Sequence, residues 1–174
     1  MKSAVLVTDV QTKLFDTSPR PFEADEIVKR INHVTTLART AGIPIFLIQH
    51  EVPGYLDHES EGWQLQKDLV VKDNDIRVRK TTGDSFLRTN LEEKLKSLNI
   101  TNLVICGYAS EFCVDNTTRR ATGLGYTVQL VSDGHTTHEK KHLSAMKIRE
   151  HHNLTLSMSP TITTVPSEDI RIEG

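Results

Sequence analysis

Short runs of β-branched and other apolar residues alternate with longer segments whose apolar positions recur at helical spacing, the pattern of a parallel sheet wrapped by helices. "AVLVTD" (4–9) reads as a first strand. A helix follows from about Glu23 to Ala41, with Ile27, Ile31, Val34, Leu37 and Ala38 on one face and Gly42 as its stop. "PIFLIQ" (44–49) is apolar nearly throughout, as a strand covered on both faces should be. "IRVRK" (76–80) alternates like a half-exposed strand, and a helix is predicted from about Leu87. "NLVICG" (102–107) reads as strand, Phe112 to Leu124 as helix, "TVQLVSD" (127–133) as strand, Glu139 to His151 as helix, and "TITTV" (161–165) as a short last strand.

These elements total about six strands and four or five helices, with no repeat, low-complexity stretch or linker. The expected fold is α/β: one domain over residues 1–174, a three-layer α/β/α sandwich around a central, mainly parallel six-stranded sheet, doubly wound. The pattern breaks only between Glu51 and Asn74, where Pro53, Gly54 and Gly62 stand among charges around Tyr55 and Trp63. A loop of this length in a compact domain is usually functional or mobile.

Composition narrows the partners. The 21 basic and 23 acidic residues leave a formal charge of -2, with no block of like charge, so nucleic acid is not an expected partner. The opening "MKSAVLVTDV" lacks the apolar core and cleavage site of a signal peptide, and no window approaches the length of a membrane span. The expected location is therefore the cytoplasm. Two cysteines do not make a disulfide framework, and in that compartment both should be thiols; the Asn153-Leu-Thr sequon is then a chance match.

Open parallel sheets gather ligand groups at the carboxyl ends of their strands. Asp9, His50, Lys80 and Asp133 fall at such ends, and Cys113 lies just after the fourth strand. A thiol in the first turn of a helix meets free N–H groups and a dipole that favour the thiolate, and a nearby Lys80 ammonium would lower its pKa further. Asp9 could hold Lys80 or take the thiol proton, and the same N–H groups could stabilise an oxyanion. Taken singly, each residue has a plainer reading: Cys113 as a small core residue, as Cys106 should be, Asp9 as a turn acid, and Lys80 as a solvated surface charge. Their joint placement is what points to chemistry.

Three blocks resemble the isochorismatase-like cysteine hydrolases, which include nicotinamidases and N-carbamoylsarcosine amidase, and the resemblance spans almost the whole chain. "AVLVTDVQTKLF" is similar to the family's opening, with Asp9 and Gln11; "KTTGDSFLRTNL" to its second block, with Lys80, Phe86, Thr89 and Leu91. "GYASEFCVDNTTRRATGLGYTVQLVSD" supplies Gly107, Cys113, Val114, Thr117, Ala121, Gly125 and Asp133 at the family's intervals. The resemblance implies Cys113 as nucleophile, Asp9 as proton acceptor and Lys80 as supporting cation. It also implies a non-proline cis peptide between Tyr108 and Ala109, with the Ala109 and Cys113 amides forming an oxyanion hole; Ser110 stands where the family more often has Thr.

The expected activity is hydrolysis of a small amide or related C–N bond through a Cys113 thioester, without cofactor. Phe15, His50, Trp63, Tyr108, Glu111 and Phe112 are the expected pocket, with Tyr55 an alternative to Trp63. The family's nicotinamidases carry a metal on an Asp and histidines after the second strand. Here "QHEVPGYLDHE" keeps His50 and His58 without the Asp-x-His pattern, so no metal is expected and His50 and Glu51 are free to line the pocket. His135, His138 and His142 are spaced for one helix face, but a surface or capping role is expected for them and for His151–His152. Vinyl ether hydrolysis with Asp9 as acid, a non-catalytic binding domain, and a redox thiol protein are the competing readings; the last lacks a well-placed resolving cysteine. Family resemblance implies a homodimer or homotetramer.

Overall fold

The computed structural model describes residues 1–172. Six parallel strands, β1 (Ser3–Thr8), β2 (Ile45–His50), β3 (Ile76–Lys80), β4 (Asn102–Tyr108), β5 (Thr127–Thr136) and β6 (Ile162–Val165), form one sheet in the order β3-β2-β1-β4-β5-β6. Five helices surround it: α1 (Thr12–Phe15), α2 (Ala24–Thr40), α3 (Leu91–Ser97), α4 (Asp115–Gly123) and α5 (Ala145–Leu156).

Alternate side chains of the central strands feed two separate cores. Val5 and Val7 of β1 and Val104 and Cys106 of β4 pack with Ile27, Ile31 and Val34 of α2. Ala4, Leu6, Leu103 and Ile105 point the other way, toward Leu91 and Leu95 of α3, Ala121 of α4 and Leu156 of α5. Because helices cover both faces, β1, β2 and almost all of β4 are buried residue by residue, which explains their unbroken apolar runs. The expected doubly wound sandwich is present, and its sheet is wholly parallel.

Four local departures matter for the site. α1 was not expected; its single turn falls between Gln11 and Asp16. α3 starts at Leu91 rather than Leu87, because the Ser, Thr and Gly residues after Lys80 form consecutive turns first. α5 runs from Ala145 rather than Glu139, capped by Ser144, whose Oγ accepts from the Lys147 N–H. β5 does not stop at Asp133: Ile105 faces Leu130 and Gly107 faces His135, so Val131 to Gly134 form a bulge opposite Cys106 and the strand resumes to Thr136. The 51–74 segment is tied down by a bridge between Gln11 and Leu65 and by the Trp63 carbonyl, which accepts from both Gln11 and Gln49. Among the described residues no helix is long and apolar enough to cross a membrane.

Candidate active site

At the carboxyl end of β1 the chain turns through Asp9, held at φ +52° in the left-handed region that few residues other than glycine adopt. The turn is fastened on both sides: the Asp9 N–H donates to the Ile48 carbonyl, and the Gln11 N–H to the Asp9 carbonyl, each at 3.0 Å. Lys80, the last residue of β3, is completely buried, and its ammonium spends all three hydrogens. They go to Asp9 Oδ2 at 2.9 Å, the Thr82 carbonyl at 3.0 Å and Cys113 Sγ at 3.2 Å. The structure thus brings together Asp9, Lys80 and Cys113, from three separate elements.

Burial pushes the Lys80 ammonium toward losing its proton, but the Asp9 carboxylate and the bond to Cys113 outweigh that and hold it above the ordinary lysine value. Burial likewise pushes the Asp9 carboxyl up, and Lys80 and His50 together overcome it, so Asp9 lies below the usual carboxylate range. The Cys113 thiol is pushed up, first by burial and then by the Asp9 charge, with Lys80 offsetting only part. This corrects the expectation of a thiol lowered by Lys80 and the helix start. The resting trio is an ammonium, a carboxylate and a neutral thiol. Moving the thiol proton to Asp9 leaves the net charge of the buried trio unchanged, and among the described residues the buried Asp9 Oδ1 has no hydrogen-bond partner, which leaves it free to accept that proton.

His50 ends β2 beside this trio, with Nδ1 3.4 Å from Asp9 Oδ2 and 3.6 Å from Cys113 Sγ. Its backbone is clamped by Gln11, whose Oε1 accepts the His50 N–H at 2.9 Å and whose Nε2 donates to the His50 carbonyl at 3.1 Å. Asp9, His50 and Cys113 offer donor atoms within 4.8 Å of one another, a spacing a metal ion could use. The Lys80 ammonium already bonds Asp9 Oδ2 and Cys113 Sγ and would compete with an ion for those donors.

Cys113 is carried by one wide turn, Ser110–Val114, that feeds α4. The Val114 N–H reaches back to the Ala109 carbonyl at 3.1 Å, and the Phe112 N–H shares that acceptor at 3.0 Å. Among the described residues the Ala109 and Cys113 N–H groups have no acceptor outside the turn. The Tyr108–Ala109 peptide is cis, as the resemblance implied. At Gly107, φ is +120° and a Cβ would lie 2.0 Å from the Thr8 carbonyl oxygen, so only glycine lets β4 pass this close to the Asp9 turn.

The expected pocket residues divide. Phe112 is half exposed and stacks on the His50 ring at 6.5 Å, forming an outer wall. The Tyr108 hydroxyl lies 2.7 Å from His138 Nδ1. Glu111 accepts from Thr137 at 2.8 Å and pairs with Lys140 at 3.1 Å. Phe15 is buried in the core and meets Tyr108 edge-on at 6.0 Å, so it supports the wall instead of forming it. Trp63 is buried too, its ring edge-on to His58, and it anchors the long loop. Glu51 pairs with Arg79. Tyr55, half exposed under the Lys13 ammonium, remains at the surface. A surface cavity of about 780 Å³ lies elsewhere, beside α1 among Asp16, Arg20, Glu61 and Lys67.

Two expectations, one for a strand end and one for a histidine, are corrected. Asp133 sits inside the β5 bulge and accepts from the Ser167 N–H at 2.7 Å and the Ser167 hydroxyl at 3.0 Å, a structural clasp to the segment after β6. His135 is neither a surface nor a capping residue: it is completely buried and bonds Ser110 and Asn153. His138 turns to Tyr108 and the Pro19 carbonyl, and His142 is exposed, so these three histidines do not converge. His152 pairs with Asp115 at 3.2 Å, while His151 is exposed. The bulge and the Gln11 clamp are what sequence reasoning missed. The break of alternation at "VSDGH" was the available signal for the first.

The family model described as Isochorismatase domain matches residues 3–164. A streptothricin hydrolase of Streptomyces noursei is 36% identical over 138 residues, covering 78% of this chain, which spans half the length of that relative. The isochorismatase family protein YrdC of Bacillus subtilis is 33% identical over 135 residues, covering 76% of this chain and 72% of the relative. A crystal structure of an isochorismatase family protein superimposes with a TM-score of 0.88 at 31% identity, covering 94% of this chain and 97% of the other. With the match running from β1 into β6 and the fold retained, the chain belongs to the isochorismatase family.

Proposed function

We propose that this chain is a hydrolase that cleaves a small amide or related C–N bond through a thioester on Cys113. The observation that carries the reading is the buried Lys80 ammonium bonded at once to Asp9 and to Cys113 Sγ. Asp9 takes the Sγ proton as sulfur attacks the substrate carbonyl carbon, and the Ala109 and Cys113 amides hold the resulting oxyanion. Asp9 returns the proton to the departing nitrogen as the C–N bond breaks, leaving the acyl group on sulfur. A water then gives a proton to Asp9 and its hydroxide attacks the thioester, releasing a carboxylic acid and the thiol. Lys80 stays protonated throughout and keeps Asp9 ionised between steps. Phe112, His50 and Tyr108 form the walls, and the name streptothricin hydrolase is in keeping with a small-molecule substrate. No cofactor enters this scheme. A homodimer or homotetramer and a cytoplasmic location complete the proposal.

Vinyl ether hydrolysis would need Asp9 as a proton donor from the start. The ion pair that holds its carboxyl below the usual range favours the cysteine route instead. Cys113→Ala decides between them: turnover across a panel of small amides should vanish, with a Cys113 acyl adduct trapped in the parent protein by mass spectrometry. Turnover that survives loss of the thiol would favour the acid route, and a chain with neither adduct nor turnover would be a binding domain.

A further inference from the structure

On the β5 side of the nucleophile turn lies a second buried network that the proposed reaction does not use. Ser110 Oγ is 2.7 Å from His135 Nδ1, His135 Nε2 is 2.9 Å from Asn153 Oδ1, and Asn153 Nδ2 donates to the Ser132 carbonyl at 2.9 Å. Ser110 and His135 are both completely buried.

The partners determine every hydrogen. The Asn153 nitrogen is committed to a carbonyl, so its oxygen faces the ring and must accept. His135 Nε2 therefore carries the hydrogen, Nδ1 offers a bare lone pair, and the Ser110 hydroxyl donates to it. Burial pushes His135 down to about 4, with Arg149 and His152 of α5 adding to that and Asp133 of β5 opposing it, so the ring is neutral at ordinary pH. Although serine, histidine and asparagine follow in relay order, Ser110 has no exposed surface from which to attack a substrate.

The sheet is distorted to deliver this ring. The bulge Val131 to Gly134 shifts β5 so that His135 lies opposite Gly107, at the base of the turn. At Gly134 a Cβ would meet Val131 Cγ1 at 2.6 Å, so the bulge closes only over glycine. We infer that His135 is a positioning residue for acyl transfer: by accepting the Ser110 hydroxyl it fixes the turn whose Ala109 and Cys113 amides hold the oxyanion, and Asn153 sets its tautomer. This role rests on the cysteine hydrolase reading above.

Two reagents that meet the same sulfur separate the role from a merely structural one. p-Nitrophenyl acetate acetylates Cys113 by attack at the carbonyl, forming the S–C bond, breaking the C–O bond and releasing p-nitrophenolate through an oxyanion. Iodoacetamide alkylates it by displacing iodide at a CH2 carbon, with no oxyanion. His135→Phe should slow the acetylation burst about tenfold or more while changing Cys113 alkylation by less than about twofold. His135→Asn, whose Oδ1 can stand in for Nδ1, should restore the burst to within about threefold of the parent. Asn153→Ala should give an intermediate loss, and it carries the test if His135→Phe melts too low to assay. Equal slowing of both reactions, or an unchanged burst in the folded variants, overturns the inference. A parent protein that gives no burst, or a Cys113→Ala protein that gives the full one, overturns the hydrolase reading and with it the role of His135.

Discussion

Cys113 stands between two buried polar networks that solve the same problem in opposite ways. Toward β1, β2 and β3, burial is compensated by charge, with Lys80 against Asp9 at 2.9 Å. Toward β5 it is compensated by dipoles, a neutral chain from Ser110 through His135 to Asn153. Both are buried, so their polar groups need partners, and only the charged side has, among the described residues, an acceptor without one, Asp9 Oδ1, that could receive a moving proton. The neutral side is useful for the contrary reason: its tautomer does not change at working pH. In the proposed mechanism, proton transfer and geometry thus fall to different flanks of one turn.

The contrast can be broken most severely on the charged side. Asp9→Asn should lower turnover about 10³-fold, far beyond any His135 variant, because it removes the proton acceptor itself; steady-state rates on p-nitrophenyl acetate measure this, and equal losses on the two flanks would erase the distinction. Lys80→Met should cost about 3–5 kcal/mol of stability in urea unfolding, since it leaves the Asp9 carboxylate buried and unpaired. The double variant Asp9→Asn with Lys80→Met should recover part of that loss.

Acid separates the flanks by pH window. The unfolded chain protonates a histidine near 6.5, whereas folded His135 refuses the proton until about 4, so its contribution is complete above 6.5 and falls by about 3 kcal/mol across that window. Folded Asp9 is depressed below 3.8, so its stabilisation is present above about pH 4 and is lost only as the pH falls further. Urea titrations of the parent and His135→Asn should therefore diverge between pH 6.5 and 4 and run parallel below. The smallest effect concerns the other thiol. Cys106 is fully buried and meets only the Leu6 carbonyl, with no base to take its proton as Asp9 can for Cys113, so it should react with iodoacetamide about tenfold more slowly than Cys113, and Cys106→Ala should cost about 1 kcal/mol without altering turnover.

The charged flank was legible in the sequence because each member ends or follows a strand, and parallel strands end on one side of a sheet. The sandwich itself was legible because two-sided burial leaves unbroken apolar runs such as those of β2 and β4. The neutral flank was not. Asp133 looks like a strand end only if β5 runs straight, and the broken alternation at "VSDGH" marks a disturbance without telling that the strand resumes after four residues set against one partner. His135 read as a surface histidine for the same reason, and Asn153 as a chance sequon. The resting charge of Cys113 was equally hidden, since helix position and Lys80 argue for a thiolate while burial and Asp9 argue more strongly against it.

The strand order carries one more consequence. The seam between β1 and β4 divides the sheet into a first half, β1 to β3, and a second, β4 to β6. Asp9, His50 and Lys80 belong to the first, whereas Cys113, Ser110, His135 and Asn153 all belong to the second. A chain severed in the turn near Asn99 would leave the neutral network whole within one fragment and the charged one shared between two. Return of Cys113 acylation on mixing the fragments would then report their reassociation, making this fold a template for a split sensor.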